Sequence, residues 1–88
     1  MYIFIGYDAP NGQELRKVHR PAHLDKLKNL VQAGKVVLAG PFTDGTGSLI
    51  VYDVATKTEV ELIAKTDPYV MHRVFERYEI KPFEKVLP

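Results

Sequence analysis

Three residues stand where acid–base chemistry could be done: Arg20, His23 and Asp67. A carboxylate beside an imidazole fixes the ring's tautomer and favours its protonated form, which suits it to take and return a proton near neutral pH. A guanidinium close by supplies permanent positive charge for an anionic substrate or a developing oxyanion. Helical spacing draws attention to all three. At ~100° per residue, with Leu27 as reference, Leu24, Leu30 and Val31 fall within about 60° and define an apolar stripe. His23 falls about 40° from that reference and Arg20, if helical, about 20°, at the N-terminal end of the stripe. Asp25, Lys26, Lys28, Asn29 and Gln32 fall about 100° or more away, as a solvated face should. Farther along, Val60, Ile63 and Ala64 stand at i, i+3 and i+4 of a second amphipathic helix, and position i+7 of that stripe is Asp67. Each helix therefore carries an ionisable residue at one end of its buried face.

His23 and Asp67 can meet only if the two helices lie side by side and antiparallel. The order of elements provides for that. "YIFIGY" (2–7) reads as a buried strand and "DAPNGQ" (8–13) as the densest turn in the chain. "PAHLDKLKNLVQA" (21–33) reads as a helix, with Pro21 in its first turn and Gly34 just past its end. "KVVLAGPF" (35–42) is a second strand, "TDGTG" (43–47) a loop and "SLIVYDV" (48–54) a third strand. "TKTEVELIAKTD" (56–67) is a second helix with capping-box spacing at both Thr56/Glu59 and Thr58/Glu61. Pro68 ends it or starts a short further turn, and "VFERYEIKPF" (74–83) is a last strand in which Pro82 marks a sheet edge or bulge. The order βαββαβ predicts an α+β fold, the ferredoxin-like split βαβ, with a four-stranded antiparallel sheet and both helices on one face. Residues 1–88 form a single domain.

The sheet's other face predicts a partner. Tyr2 and Phe4 alternate with Ile3, Ile5 and Tyr7, and Leu49 and Val51 alternate with Ile50, Tyr52 and Val54, so two strands are apolar on both sides. An antiparallel sheet with one wet face alternates apolar with polar. Two helices cover one face only, and a domain of this length buries just roughly 60–65% of its unfolded surface. A homodimer packed sheet to sheet with isologous symmetry answers both demands.

Composition narrows the function classes. The chain has no cysteine, which excludes a thiol nucleophile and any Cys-based metal or cluster site. Twelve Lys and Arg against eleven Asp and Glu, with no run of like charge, offer no basic patch to nucleic acid or an anionic membrane. No apolar run approaches the ~20 residues of a transmembrane helix. No N-terminal signal pattern is present, so a cytoplasmic location is expected. "GTGS" precedes a strand instead of linking a strand to a helix, the wrong context for a phosphate loop. His19 and His72 have no acidic or histidine partner at ligand spacing, which makes them surface residues and leaves no metal site. Ser48, after Gly47 at a strand start, could donate to a ligand or satisfy the turn backbone; Tyr69 could line a cleft or simply pack.

Arg20-Pro21-Ala22-His23-Leu24, Ala39-Gly40-Pro41, Gly47-Ser48, Asp67-Pro68-Tyr69 and Lys81-Pro82-Phe83 occur in this order and spacing over most of the chain. Taken together they resemble the YCII-related (YciI-like) proteins, small bacterial proteins with a dimeric α+β barrel fold. The resemblance implies an active site built on a His–Asp pair, and the matching positions are His23 and Asp67. It further implies lyase or isomerase work on small, often aromatic-derived compounds, akin to muconolactone-isomerase-like enzymes. The chain is short between Phe42 and Gly47, where other members carry a longer loop, and that bears on substrate size. The expectation is thus a small-molecule enzyme without metal or organic cofactor: His23 shuttles a proton, Asp67 orients it, and Arg20, Ser48 and Tyr69 hold the substrate. Two other readings use the same residues: a non-catalytic ligand-binding or accessory module, and a structural ion pair that staples the helices.

Overall fold

The computed structural model describes residues 1–88. Strand β1 (Tyr2–Asp8) leads into helix α1 (Gly12–Gln32), then β2 (Val36–Pro41), β3 (Gly47–Tyr52), α2 (Lys57–Lys65), a single turn α3 (Pro68–Met71) and β4 (Phe75–Pro82). The four strands pair antiparallel in the order β2-β3-β1-β4. This is the split βαβ arrangement, with β1 and β3 central, β2 and β4 at the edges, and Pro82 in an edge strand where its missing N–H is tolerated.

The register sorts the side chains. Phe4 lies opposite Ile50 and Ile80, and Tyr2 opposite Tyr52, which sends Phe4, Ile50 and Tyr52 under the helices. They join Leu27, Val60, Ala64, Tyr69, Val74 and Phe75 in one core. Phe4 is its hub, edge-on to Tyr52, tilted against Phe75 and stacked on Tyr78. Full burial of such an apolar side chain contributes about 1.5–3 kcal/mol. On the opposite face Ile3, Ile5 and Leu49 are only half-buried and Leu38 is exposed. β4 departs from the two-sided apolar pattern, since Lys81, Glu79 and Arg77 lie opposite Ile3, Ile5 and Tyr7. The open face therefore has an apolar centre and one charged border.

Two local expectations are corrected. α1 begins at Gly12, nine residues before the expected start, and Pro21 lies inside the helix. A mid-helix proline forfeits one backbone bond and costs about 3 kcal/mol in isolation. Tertiary contacts of the added turns offset it: Leu15 packs against the core and Arg16 is tied to β1 and β3. Of the two capping boxes, the chain uses Thr56, whose hydroxyl accepts from the Glu59 N–H. At the other end of α1 the stop is as expected, for Gly34 takes φ 74°, the left-handed conformation that closes a helix C-terminus.

Candidate active site

Asp67 is the N-cap of α3, and its carboxylate accepts from the backbone N–H of Tyr69 at 2.8 Å. Pro68 suits the first turn of α3, so the "DPY" run is itself a capping device. The same Oδ1 lies 2.8 Å from His23 Nδ1 on α1. His23 and Asp67 are 6% and 3% exposed, so the pair is nearly dry. An ionised carboxylate can only accept; Nδ1 therefore carries the shared proton. Nε2 has no protein partner and is not sealed in, because His23 lines a cavity. The two residues that periodicity picked out, 44 positions apart, do meet, but α2 ends at Lys65 instead of the expected Asp67, so the carboxylate arrives as the cap of α3 and not from the stripe of α2.

Tyr69 stacks on the His23 ring, with centroids 3.8 Å apart and planes 5° from parallel. A second stack lies one turn back along α1: His19 and His72 are 3.9 Å apart with planes within 3°. Neither ring is buried and His72 is exposed, as expected, but the expectation that they lack a histidine partner is corrected, since each is the other's partner. Together the two stacks fasten α3 to α1. Lys26 is a further correction. It reaches from its flank of α1 to the Thr66 hydroxyl and the Ile63 carbonyl at the end of α2, and burial there lowers its pKa while Asp67 opposes the shift. Its long stem lies along apolar surface while the ammonium finds carbonyl and hydroxyl acceptors.

The cavity, about 230 Å³, lies between α1 and the β2 edge above the start of β3. Leu24, Leu27, Pro41 and Ile50 give it apolar walls, and His23, Tyr69, Ser48, Arg16 and Arg20 supply its polar groups. Four of the five expected site residues, Arg20, His23, Ser48 and Tyr69, therefore border one space, and Asp67 stands behind His23 without lining it. Arg20 is exposed at its mouth and has no hydrogen bond or ion pair within the protein. Burial pushes the Tyr69 phenol above its ordinary range, while Arg16 and Arg20 pull it back.

Arg16 is the site residue that sequence reasoning missed. Its Nε and Nη2 donate to the two Asp8 carboxylate oxygens at 2.8 Å, and Nη2 also donates to Ser48 Oγ at 2.9 Å. The hydrogen bonds to Asp8 raise the guanidinium's pKa against the effect of burial, so the cation is permanent. Its Cζ lies 5.1 Å from the Tyr69 ring centre and 5.7 Å from that of Phe75. Ser48 is consequently an acceptor for Arg16, and its proton is left for a ligand or for the turn. The Gly47 before it has a steric reason: a Cβ there would stand 1.9 Å from the Gly6 carbonyl oxygen.

No three His, Cys, Asp or Glu side chains converge anywhere. No helix is long and apolar enough to cross a membrane.

Residues 1–84 match the YCII-related domain. The chain belongs to that family. It is 31% identical to Protein YciI of Escherichia coli O6:H1 over 98% of both chains, and 30% identical to an uncharacterized protein of Haemophilus influenzae over 97% of both. In three dimensions it is similar to 5-chloro-2-hydroxyhydroquinone dehydrochlorinase (TftG) from Burkholderia phenoliruptrix AC1100, solved in complex with 2,5-dihydroxybenzoquinone. The TM-score is 0.82 at 23% identity, covering 96% of this chain and 94% of that one. That likeness shows a shared fold, the α+β subunit fold of the YciI-like proteins.

Proposed function

We propose that this YCII-related protein is a small-molecule enzyme of lyase or isomerase type in which the His23–Asp67 pair moves a proton. The observation that carries the proposal is a buried Nδ1–carboxylate contact of 2.8 Å that leaves Nε2 as the free nitrogen of a ring bordering a cavity. In this reading Nε2 takes a proton from carbon or oxygen of a small ring compound. Asp67 stabilises the imidazolium that results, and the proton returns to another position or to a departing group. Arg20 holds an anionic oxygen, the Ser48 hydroxyl donates a second bond, and Tyr69 backs both the imidazole and the substrate ring. The reaction needs no metal or organic cofactor. The fold neighbour's complex with a dihydroxybenzoquinone supports an aromatic-derived compound as the substrate class. Ile3, Ile5 and Leu49 support a homodimer closed sheet to sheet, each subunit keeping its own cleft on the helix side.

Deuterium exchange tests the proposal. Ring hydrogens of 1,2,4-trihydroxybenzene, which exchange through its keto tautomers, are followed by proton NMR in D₂O with and without protein. The wild type is expected to accelerate exchange, and His23→Asn and Asp67→Asn to lower that acceleration by about 10²–10⁴-fold while remaining folded. Exchange as fast with His23→Asn as with wild type overturns the proton-shuttle role. Binding of the compound without any acceleration favours the ligand-binding module, and unfolding of both variants favours the structural staple.

A further inference from the structure

The inner cavity does not end at Arg20. A second lobe of about 350 Å³ continues outward from it, and Arg16, Arg20, Pro41 and Tyr69 border both spaces. The outer lobe differs in character. Gln13, Arg16, Lys17 and Arg20 form its helical wall, successive turns of one face of α1, and the opposite wall is the β2–β3 connection around Phe42, Thr43 and Gly45. Gln13 ties those walls together by donating from one amide nitrogen to Asp8 and to the Gly45 carbonyl. The connection is further set by Asp44, whose carboxylate accepts from the Thr46 N–H and hydroxyl, which lowers its pKa.

The charges along this wall are not equivalent. Arg16 is spent on Asp8 and Ser48. Arg20, at the junction of the lobes, is unpaired, and Lys17 meets only Glu14, at 3.5 Å with both side chains largely exposed. A rim pair of that kind is worth at most about 1 kcal/mol and yields readily to a better anion. No carboxylate borders the outer lobe. The cleft therefore passes from apolar walls at His23 to unpaired positive charge at Arg20 and then to the loosely paired Lys17. Along α1 these residues are spaced by about 4.5 Å of helical rise per step, at 1.5 Å per residue.

From this gradient we infer that the ligand is bipartite: a flat ring in the inner lobe beside His23 and Tyr69, bearing a short arm that ends in a carboxylate held by Arg20 and Lys17 in the outer lobe. The inference rests on the proposed reading that the cleft takes a small ring compound, and it adds which end of that compound carries charge and where the charge lies. A carboxylate attached directly to the ring reaches Arg20 alone. One placed two carbons farther out reaches Lys17 as well.

The test is a three-member series titrated into the full-length protein by calorimetry: hydroquinone, gentisate and 3-(2,5-dihydroxyphenyl)propanoate. Gentisate is expected to bind about tenfold more tightly than hydroquinone, the scale of one added charged hydrogen bond, and the propanoate more tightly still. Arg20→Gln should abolish the gain of gentisate and reduce that of the propanoate, and Lys17→Gln should remove only the part by which the propanoate exceeds gentisate. Both residues are exposed, so these variants keep the fold, which backbone amide NMR spectra verify. Equal affinities across the series, gains that survive both substitutions, or no saturable binding of any member at millimolar concentration would overturn the inference. Its failure is separable from that of the proposed function. Armed rings that bind through Arg20 and Lys17 without His23-dependent exchange leave this inference standing alone, and exchange without any benefit from the arm leaves the proton shuttle standing alone.

Discussion

Asp8 and Asp67 begin alike. Each carboxylate is almost fully buried, and each meets a basic side chain of α1 at 2.8 Å. What differs is the partner. The Arg16 guanidinium, its pKa raised further by Asp8, stays protonated, so its pair with Asp8 is a fixed clamp joining α1 to β1 and, through Ser48, to β3. An imidazole, unlike a guanidinium, is a side chain that can gain or lose a proton near neutral pH, so the same geometry at Asp67 has the parts that the proposed proton transfer uses. The two sites share the Tyr69 ring, stacked on His23 and under the Arg16 guanidinium. One fold thus places a permanent charge and a switchable one side by side. The lesson is that the chemistry of a buried ion pair is set by whether its cation can titrate, at equal distance and equal burial.

The most severe way to break the comparison acts on the clamp's third member. Gly47→Ala would drive a methyl group into the Gly6 carbonyl and push Ser48 and β3 off β1. Loss of the cooperative thermal transition is expected, and an unchanged midpoint by circular dichroism would refute the steric account. Next is Arg16→Met, which leaves the Asp8 carboxylate buried without its cation and should cost about 3 kcal/mol in urea denaturation. His23→Asn should cost only about 1 kcal/mol, because the Asn amide can still donate to Asp67 from near the position of Nδ1. Equal losses in the two variants would mean that both pairs are staples, and the contrast would collapse.

Alkaline titration sharpens the contrast with a smaller effect. Burial, and then the negative charge of Asp67, push the Tyr52 phenol far above its ordinary range, whereas Arg16 draws the buried Tyr69 downward. Asp67→Asn should therefore move the Tyr52 ionisation down, and Arg16→Met should move that of Tyr69 up, each read from phenolate absorbance against a Phe variant. Movement in the same direction in both would contradict the assignment of charges. The sign for stability follows from linkage. A phenol that stays neutral in the folded protein but ionises near its ordinary value of about 10 when unfolded leaves stability intact below that pH and erodes it above. Tyr52→Phe should reduce that erosion, measured as urea midpoints between about pH 9 and 11.

The pair at Asp67 was legible in the sequence and the clamp at Asp8 was not, for identifiable reasons. His23 stands on the apolar stripe of α1, where the 3.6-residue period is unambiguous; the same period points to Asp67, but α2 stops at Lys65 and the carboxylate is delivered as the cap of α3. Asp8 and Arg16 fall in and just after a run dense in turn residues, where Pro21 gives a false helix start. Local propensity favours the later start; contacts made by Leu15, Arg16 and His19 with distant elements favour the earlier one, and tertiary packing wins. Lys26 and the His19–His72 stack were hidden in another way. A flank position says nothing of how far a long side chain reaches, and no periodicity links two rings 53 residues apart.

The paired stacks between α1 and α3 carry a consequence for how the site comes and goes. A four-residue turn has no helical stability of its own, so α3 is ordered by the rings it lays against α1. Asp67 caps that turn and Tyr69 belongs to it, which makes their departure from His23 a single event. The Tyr69 amide, enclosed by the Asp67 carboxylate, becomes its reporter: it can exchange with solvent only when the whole turn lifts away. Carboxylate and aromatic backing would then vanish from the imidazole together, and the histidine would be either fully equipped or bare.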